Sequence, residues 1–264
     1  VGLAALVFLP FLRTRGQSPR TIVLYMLVGA MQLGIMYLLA FRAYIYLTVS
    51  ESLLFTVFTP LYITLIYDLL SGRKLRWGYL LSAALAVLGA AIIRYDKVSD
   101  HFWTGLLLVQ LSNLCFAIGM VGYKRLMEVR PMPQHNAFAW FYVGAFIVAV
   151  AAWFMLGNAQ KLPTTTLQWS VLVWLGVVAS GLGYFMWNYG ATQVDAGTLG
   201  IMNNVHVPAG LLVNLAIWQE QPHWPSFISG ALVILASLWV HRRWVAPHSG
   251  QTADDRRRGS AQSE

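Results

Sequence analysis

The sequence predicts an all-α polytopic membrane protein, and three observations carry that prediction. Apolar residues fill 58% of 264 positions against 11% for Asp, Glu, Lys and Arg, with mean hydropathy +0.59, outside the range of soluble domains. Runs long enough to cross ~30 Å of hydrocarbon as helix recur along the chain, whereas the period-2 alternation of a membrane barrel is nowhere sustained. The chain also repeats itself: "SLLFTVFTPLYITLIYDLL" (52–70) aligns with "GIMNNVHVPAGLLVNLAIW" (200–218), which sets Pro60 opposite Pro208 at an offset of 148 residues. In the same order, "LLSAALAVLGAAII" falls opposite "FISGALVILASLWV".

Each helix is bounded by charge or by Pro and Gly. A stump at about 1–12 ends at Arg13 and Arg15; a span at 21–43 follows Arg20; a span at 50–70 stops at "GRKLR"; and 77–94 ends at Arg94. The span at 103–127 closes on Lys124 and Arg125, 136–156 follows "RPMPQ", and 168–190 follows "KLPTTT". The span at 197–218 starts after Asp195, a natural N-cap, and 224–242 starts after "EQPHW". These are eight whole spans and one stump. Mapped through the repeat, the helix at 103–127 has its equivalent upstream of Val1, so the first helix and part of the second are expected to be absent from this chain. The stump is no signal peptide, because its charge follows the apolar run.

Fourteen Lys and Arg lie on one side, at 13, 15, 20, 73, 74, 76, 124, 125, 130, 242, 243 and 256–258. Four, Arg42, Arg94, Lys97 and Lys161, lie on the other side or in the membrane. This asymmetry predicts cytoplasmic termini for the full-length protein. The loop "GRKLR" after the first copy is basic and "EQPHW" after the second has no Lys or Arg, so the copies should be inverted, as in many secondary transporters. The expected architecture is ten helices in two inverted five-helix repeats, with a first repeat at 1–100, a second at 101–245 and a disordered polar tail at 246–264.

Net charge +8 is spread over short loops beside apolar spans, which reads as topology and lipid contact, with no nucleic-acid partner. The single cysteine, Cys115, excludes an internal disulfide and a Cys-based metal site. No H-E-x-x-H or G-x-S-x-G occurs and the histidines do not cluster, so neither an enzyme nor a metal or other cofactor is expected. A small solute is the remaining partner; a receptor or scaffold is the rival class.

Polar residues inside apolar runs are the candidates for holding that solute. In "IMNNVHVPAG" (201–210), Pro208 removes a backbone donor and crowds the carbonyl of Asn204, so the helix should kink or open. Asn203 and Asn204 then either satisfy freed backbone or face a cavity; His206 is either a polar partner between helices or a proton carrier. Tyr184, Trp187 and Asn188 share a helix face by spacing, as do Gln110 and Asn113, and each set can pack or line a pocket. Arg42 and Glu51 flank the turn between two spans: either they pair, or Arg42 faces the cavity and Glu51 is free to handle a proton. Asp68 is expected to pair at the basic end of its span.

Two five-helix halves, a proline within the fourth helix of each and a short turn before a small-residue-rich fifth helix resemble the EamA-type drug/metabolite transporters. The second half keeps that turn's acid as Glu220, whereas the first has Gly72 and Arg73 there, so no role for the acid is shared. "FRAYIYLTVSE", "GMVGYKRLMEVRPMPQHNAFAWFY" and "YFMWNYGATQVDAGTLGIMNNVHVPAGLLVNLAIW" resemble biotin-importing members from enteric bacteria, in the carboxylate/amino acid/amine branch. That resemblance implies a secondary transporter of the bacterial inner membrane working by alternating access, with biotin as solute. It also implies roles: a guanidinium, Arg42, for the carboxylate; Asn113, Asn203 and Asn204 for the ureido ring; Tyr184 and Trp187 for stacking. An exporter of amino acids or related metabolites on the same scaffold is the alternative.

Overall fold

The computed structural model describes residues 1–47, 52, 55–72, 102–158, 160 and 162–205, with single positions at 209, 216, 225, 228 and 232. The chain divides into two compact units, Val1–Ala196 and Gly197–Glu264.

The regular secondary structure among the described residues of the first unit is all helical. Helix α1 (Gly2–Phe8) runs into a 3-10 turn at Leu9–Phe11, over the apolar run at about 1–12. Helix α2 (Pro19–Ala43) is a full span that begins with Pro19 in its first turn, where the missing N–H costs nothing. Helix α3 (Thr59–Leu70) starts one residue before Pro60, preceded by a 3-10 turn at Thr56–Phe58, and Gly72 at φ 62° follows its end. The span expected at 50–70 is thus interrupted at its proline, which cannot continue a helical ladder. Helices α4 (Phe102–Val129), α5 (Gln134–Leu156) and α6 (Thr166–Ala191) are full spans. Pro131 and Pro133 separate α4 from α5, and a capping box between Thr165 and Gln168 starts α6.

Four helices among the described residues, α2, α4, α5 and α6, are long and apolar enough to cross a membrane. The spans expected at 77–94 and 224–242, and the tail at 246–264, lie outside the described residues.

Glycines permit the closest crossings. A Cβ on Gly29 of α2 would stand 2.8 Å from the Phe141 Cα of α5, and one on Gly144 of α5 would stand 2.7 Å from the Met26 Cα of α2. Two helices that meet backbone to backbone in lipid need small residues on both sides, because dispersion replaces the hydrophobic drive that water supplies. Around this crossing lies an aromatic core: Phe138 packs at 5.4 Å from Phe8 and from Phe185, with Tyr142 at 5.1 Å.

Two spans contain wide π-helical turns, at Ala30–Ile35 in α2 and Leu175–Gly183 in α6. Both are rich in small residues, and such turns redirect side chains and loosen the carbonyl ladder. The Tyr142 hydroxyl of α5 donates to the Ser180 carbonyl within the second of them.

Helix α7 (Ala196–Asn203), which belongs to the second unit from Gly197 onward, follows Asp195 directly. It ends where Asn204 N–H bonds to the Ile201 carbonyl and Val205 N–H to the Met202 carbonyl, both i→i+3 contacts. The helical ladder tightens at Asn204 and Val205, in the stretch where the sequence expects Pro208 to kink or open the span.

Candidate functional site

Helices α2, α4 and α6 meet at a junction that holds polar and aromatic side chains inside the first unit. Helix α4 presents two faces. Through Ser112, whose hydroxyl donates to the Met36 carbonyl at 3.0 Å, and Gly119 it lies on α2. Through Phe116 and Met120 it meets α6, with Phe116 6.5 Å from the Tyr184 ring and Trp187 Nε1–H donating to Met120 Sδ at 3.0 Å. Helix α2 closes the triangle: Tyr37 packs edge-on to Tyr184 at 6.2 Å, and its hydroxyl lies 3.5 Å from Ser180 Oγ.

Within this junction Gln32 and Asn188 are completely buried. Asn188 donates from Nδ2 to the Tyr184 carbonyl at 3.2 Å, an i−4 bond within its own helix. Its Oδ1, and both Nε2 and Oε1 of Gln32, have no hydrogen-bond partner among the described residues. Each such atom costs about 1–3 kcal/mol when left unpaired, so three of them form a concentrated polar demand in an apolar bundle.

Tyr184 and Trp187 are therefore brought together as the sequence predicts, with Asn188 on the same helix face. Asn113 stands on α4 but turns toward the broken third span: its Nδ2 donates to the Phe55 carbonyl at 2.9 Å, beside Gln110 Nε2 at 3.3 Å. Tyr62 of α3 donates to Gln110 Oε1 at 3.0 Å. These two amides thus hold the irregular backbone that precedes Pro60. Arg42 lies in the last turn of α2 with its side chain exposed. Asn203, buried, ends α7 in the second unit, and Asn204 Oδ1 there is buried without a partner among the described residues. Glu51 and His206 lie outside the described residues. Asp68 is buried near the end of α3. Gln32 is the residue that sequence reasoning passed over; its signal was a lone amide amid the apolar run of α2.

At the basic end of the spans Glu128 gathers a network. Its Oε1 lies 3.1 Å from Lys124 Nζ, its Oε2 pairs with Arg125, and Tyr67 of α3 donates to it at 3.3 Å. Nearby, Tyr123 donates to Gln134 Oε1 at 2.7 Å, and Gln134 donates to Thr192 Oγ1 at 3.2 Å, so the ends of α4, α5 and α6 are joined.

The model of the EamA-like transporter family matches residues 103–242. The biotin transporter of Escherichia coli (strain K12) is 83% identical over 264 residues, covering 100% of this chain and 88% of that protein. The biotin transporter of Salmonella typhimurium (strain LT2) is 82% identical with the same coverage. The probable biotin transporter of Pseudomonas aeruginosa PAO1 is 53% identical over 242 residues, 91% of this chain and 84% of that protein. A crystal structure of another protein, 18% identical, superimposes with TM-score 0.68 over 89% of this chain and 82% of that one, a likeness of fold. An apolar bundle of spans, a transporter-family model over its second half and full-length relatives that are transporters describe a multi-pass carrier and not an enzyme. The chain belongs to the EamA-like transporter family.

Proposed function

We propose that this chain carries biotin inward across the bacterial inner membrane by alternating access. The observation that carries the proposal is the 83% identity, over the whole chain, to a curated biotin transporter. A buried junction with aromatic faces and unpaired amides suits a solute that is apolar in its fused rings and polar at its urea.

The scaffold we infer is ten helices in two inverted repeats, 1–100 and 101–245, followed by a tail at 246–264, with both termini of the full-length protein cytoplasmic. Two features support the repeat. Shifted by 148 residues, Pro19–Ala43 becomes 167–191, against the span Thr166–Ala191. The π-helical Ala30–Ile35 shifts to 178–183, inside the π-helical Leu175–Gly183. Matching irregularities in matching helices give two halves the same hinges, which is how rocking of one repeat against the other can open either side of a site. In this reading Arg42 takes the solute carboxylate, Tyr184 and Trp187 cover its rings, Asn113, Asn203 and Asn204 offer amides, and Glu51 and His206 serve as a proton site or as structural polar groups.

The test is uptake of labelled biotin by a biotin-auxotrophic cell expressing the full-length chain, with amino acids as competitors. Accumulation blocked by unlabelled biotin and indifferent to amino acids is expected. Amino-acid efflux without biotin uptake favours the exporter reading, and absence of any flux in sealed vesicles favours a receptor.

A further inference from the structure

Gln32 and Asn188 are both fully buried, on different helices, and their positions along α4 can be compared. A Cβ on Gly119 would come within 2.7 Å of the Gln32 Cα and 2.8 Å of its backbone N, so Gln32 rests against Gly119. Trp187, the neighbour of Asn188, bonds through its indole to Met120, the neighbour of Gly119. Adjacent residues of a helix differ by about 1.5 Å along its axis. These contacts set both residues near the Gly119–Met120 stretch of α4, Gln32 on the α2 side and Asn188 on the α6 side. Asn188 is also one turn beyond Tyr184, whose ring meets both Tyr37 of α2 and Phe116 of α4, so the Tyr184 and Asn188 face of α6 looks into the junction.

The atoms left over have a definite pattern: two acceptors, Gln32 Oε1 and Asn188 Oδ1, and one donor, Gln32 Nε2. The repeat sharpens the contrast. Shifted by 148 residues, Gln32 falls on Ser180, whose hydroxyl lies 3.5 Å from Tyr37 and whose carbonyl accepts from Tyr142. One π-helical turn has its polar groups matched from within the bundle, and the other keeps an amide unmatched.

We propose that Gln32 and Asn188 together recognise the cyclic urea of the solute, an inference that rests on the solute being biotin. A cyclic urea presents two N–H donors and one carbonyl acceptor, the complement of the two acceptors and one donor left unpaired. Its carbonyl and either N–H are held cis by the ring, so they pair side by side with a primary amide through two antiparallel hydrogen bonds. Gln32 supplies that amide, donating from Nε2 to the urea oxygen and accepting at Oε1 from one urea N–H. The second N–H donates to Asn188 Oδ1. Asn188 Nδ2 is held by the Tyr184 carbonyl, which fixes which end of its amide turns to the ligand. Asn113 has its Nδ2 engaged by the Phe55 carbonyl, so it can offer the solute its own carbonyl oxygen. The π-helical turn aims Gln32, and Gly119 gives its backbone room. Both side chains are closed to solvent in this conformation, so the solute reaches them only as the helices part.

The experiment measures binding of labelled biotin to the purified full chain in detergent, in competition with 2-iminobiotin, whose protonated imino group is a donor where the urea oxygen is an acceptor, and with biotin methylated at a ureido nitrogen. The native chain is expected to prefer biotin to both. Gln32→Met, similar in shape but unable to pair, should weaken biotin binding about 10- to 100-fold, the worth of two net hydrogen bonds, and should flatten the preference over 2-iminobiotin. Gln32→Glu offers acceptors alone and should reverse that preference. Asn188→Leu should weaken biotin about 10-fold and remove the penalty for methylation at one of the two nitrogens. The proposal is overturned if Gln32→Met and Asn188→Leu bind biotin as the native chain does, or if they lose biotin and both analogues in equal proportion, as a purely structural role requires. Should Gln32→Met fail to accumulate, an unchanged methylation penalty in Asn188→Leu overturns it alone. If the native chain binds no biotin, the function itself is wrong, and that is known before any variant is made.

Discussion

Gly119→Ala adds one methyl group at the place where α4 touches the backbone of α2, and its effect can be worked from the structure. The new Cβ would lie 2.7 Å from the Gln32 Cα and 2.8 Å from its amide nitrogen. Carbon atoms in contact need about 3.5 Å, and the Gln32 Cβ lies closer still than its Cα, so the helices must part by about 0.8 Å or more, or the π-helical turn must deform. The neighbours are the Gln32 Cβ and backbone, none of which has a rotamer into which to retreat. Overpacking of this kind costs about 1–3 kcal/mol, and at about 2–4 °C per kcal/mol for a chain of this size the melting temperature should fall by roughly 2–12 °C. Helix propensity alone would push the other way, since alanine is favoured over glycine by about 0.5–1 kcal/mol. Gly190→Ala supplies the control: it lies on α6, is exposed and has no atom within 4 Å of its added Cβ. The assay is thermal unfolding of both variants in detergent, beside biotin uptake in cells. Gly190→Ala should match or exceed the native chain, whereas Gly119→Ala should melt earlier and lose apparent affinity as Gln32 is displaced. Equal melting of the two variants would refute the reasoning.

Glu128→Gln strands the buried Lys124 without its carboxylate; because Glu128 is itself about a third exposed (32%), the expected loss is about 1–3 kcal/mol rather than that of a fully buried pair. Thermal unfolding should drop more for Glu128→Gln than for Arg125→Ala, and the opposite order argues against Lys124 as the principal partner. Arg42→Met, Glu51→Gln and their double variant separate pairing from carboxylate binding: a double variant that expresses normally yet transports no biotin supports recognition by Arg42, and recovered uptake at normal expression removes it from the site. Lys at position 42 keeps the charge but loses the planar fork, so it should weaken apparent affinity more than it lowers expression. A cysteine at position 223 should react with an impermeant thiol reagent in intact cells while cysteines in the tail beyond 246 do not; equal labelling of both would reverse the orientation.

What the amino-acid sequence determined by itself was the solvent and the units. In hydrocarbon every backbone group must be satisfied within its own helix, so apolar length between charges located α2, α4, α5 and α6 to within two residues or so at each end. Prolines act on their own chain, so a kink or opening near Pro208 was legible as well, whereas the same device at Pro60, where a whole span at 50–70 was expected, was not read. Helical spacing told which side chains share a face, which is why Tyr184, Trp187 and Asn188 could be grouped in advance. Spacing says nothing of what that face meets. Only the tertiary structure could send Asn113 to the Phe55 carbonyl, bring Gly29 and Gly144 to reciprocal crossings, or leave Gln32 buried with both ends of its amide unpaired. A lone glutamine in an apolar run reads the same whether it faces lipid, a neighbouring helix or a ligand. The difference resides in the partner across the junction, and that partner lies 87 residues away in sequence at Gly119 and on a third helix at Asn188.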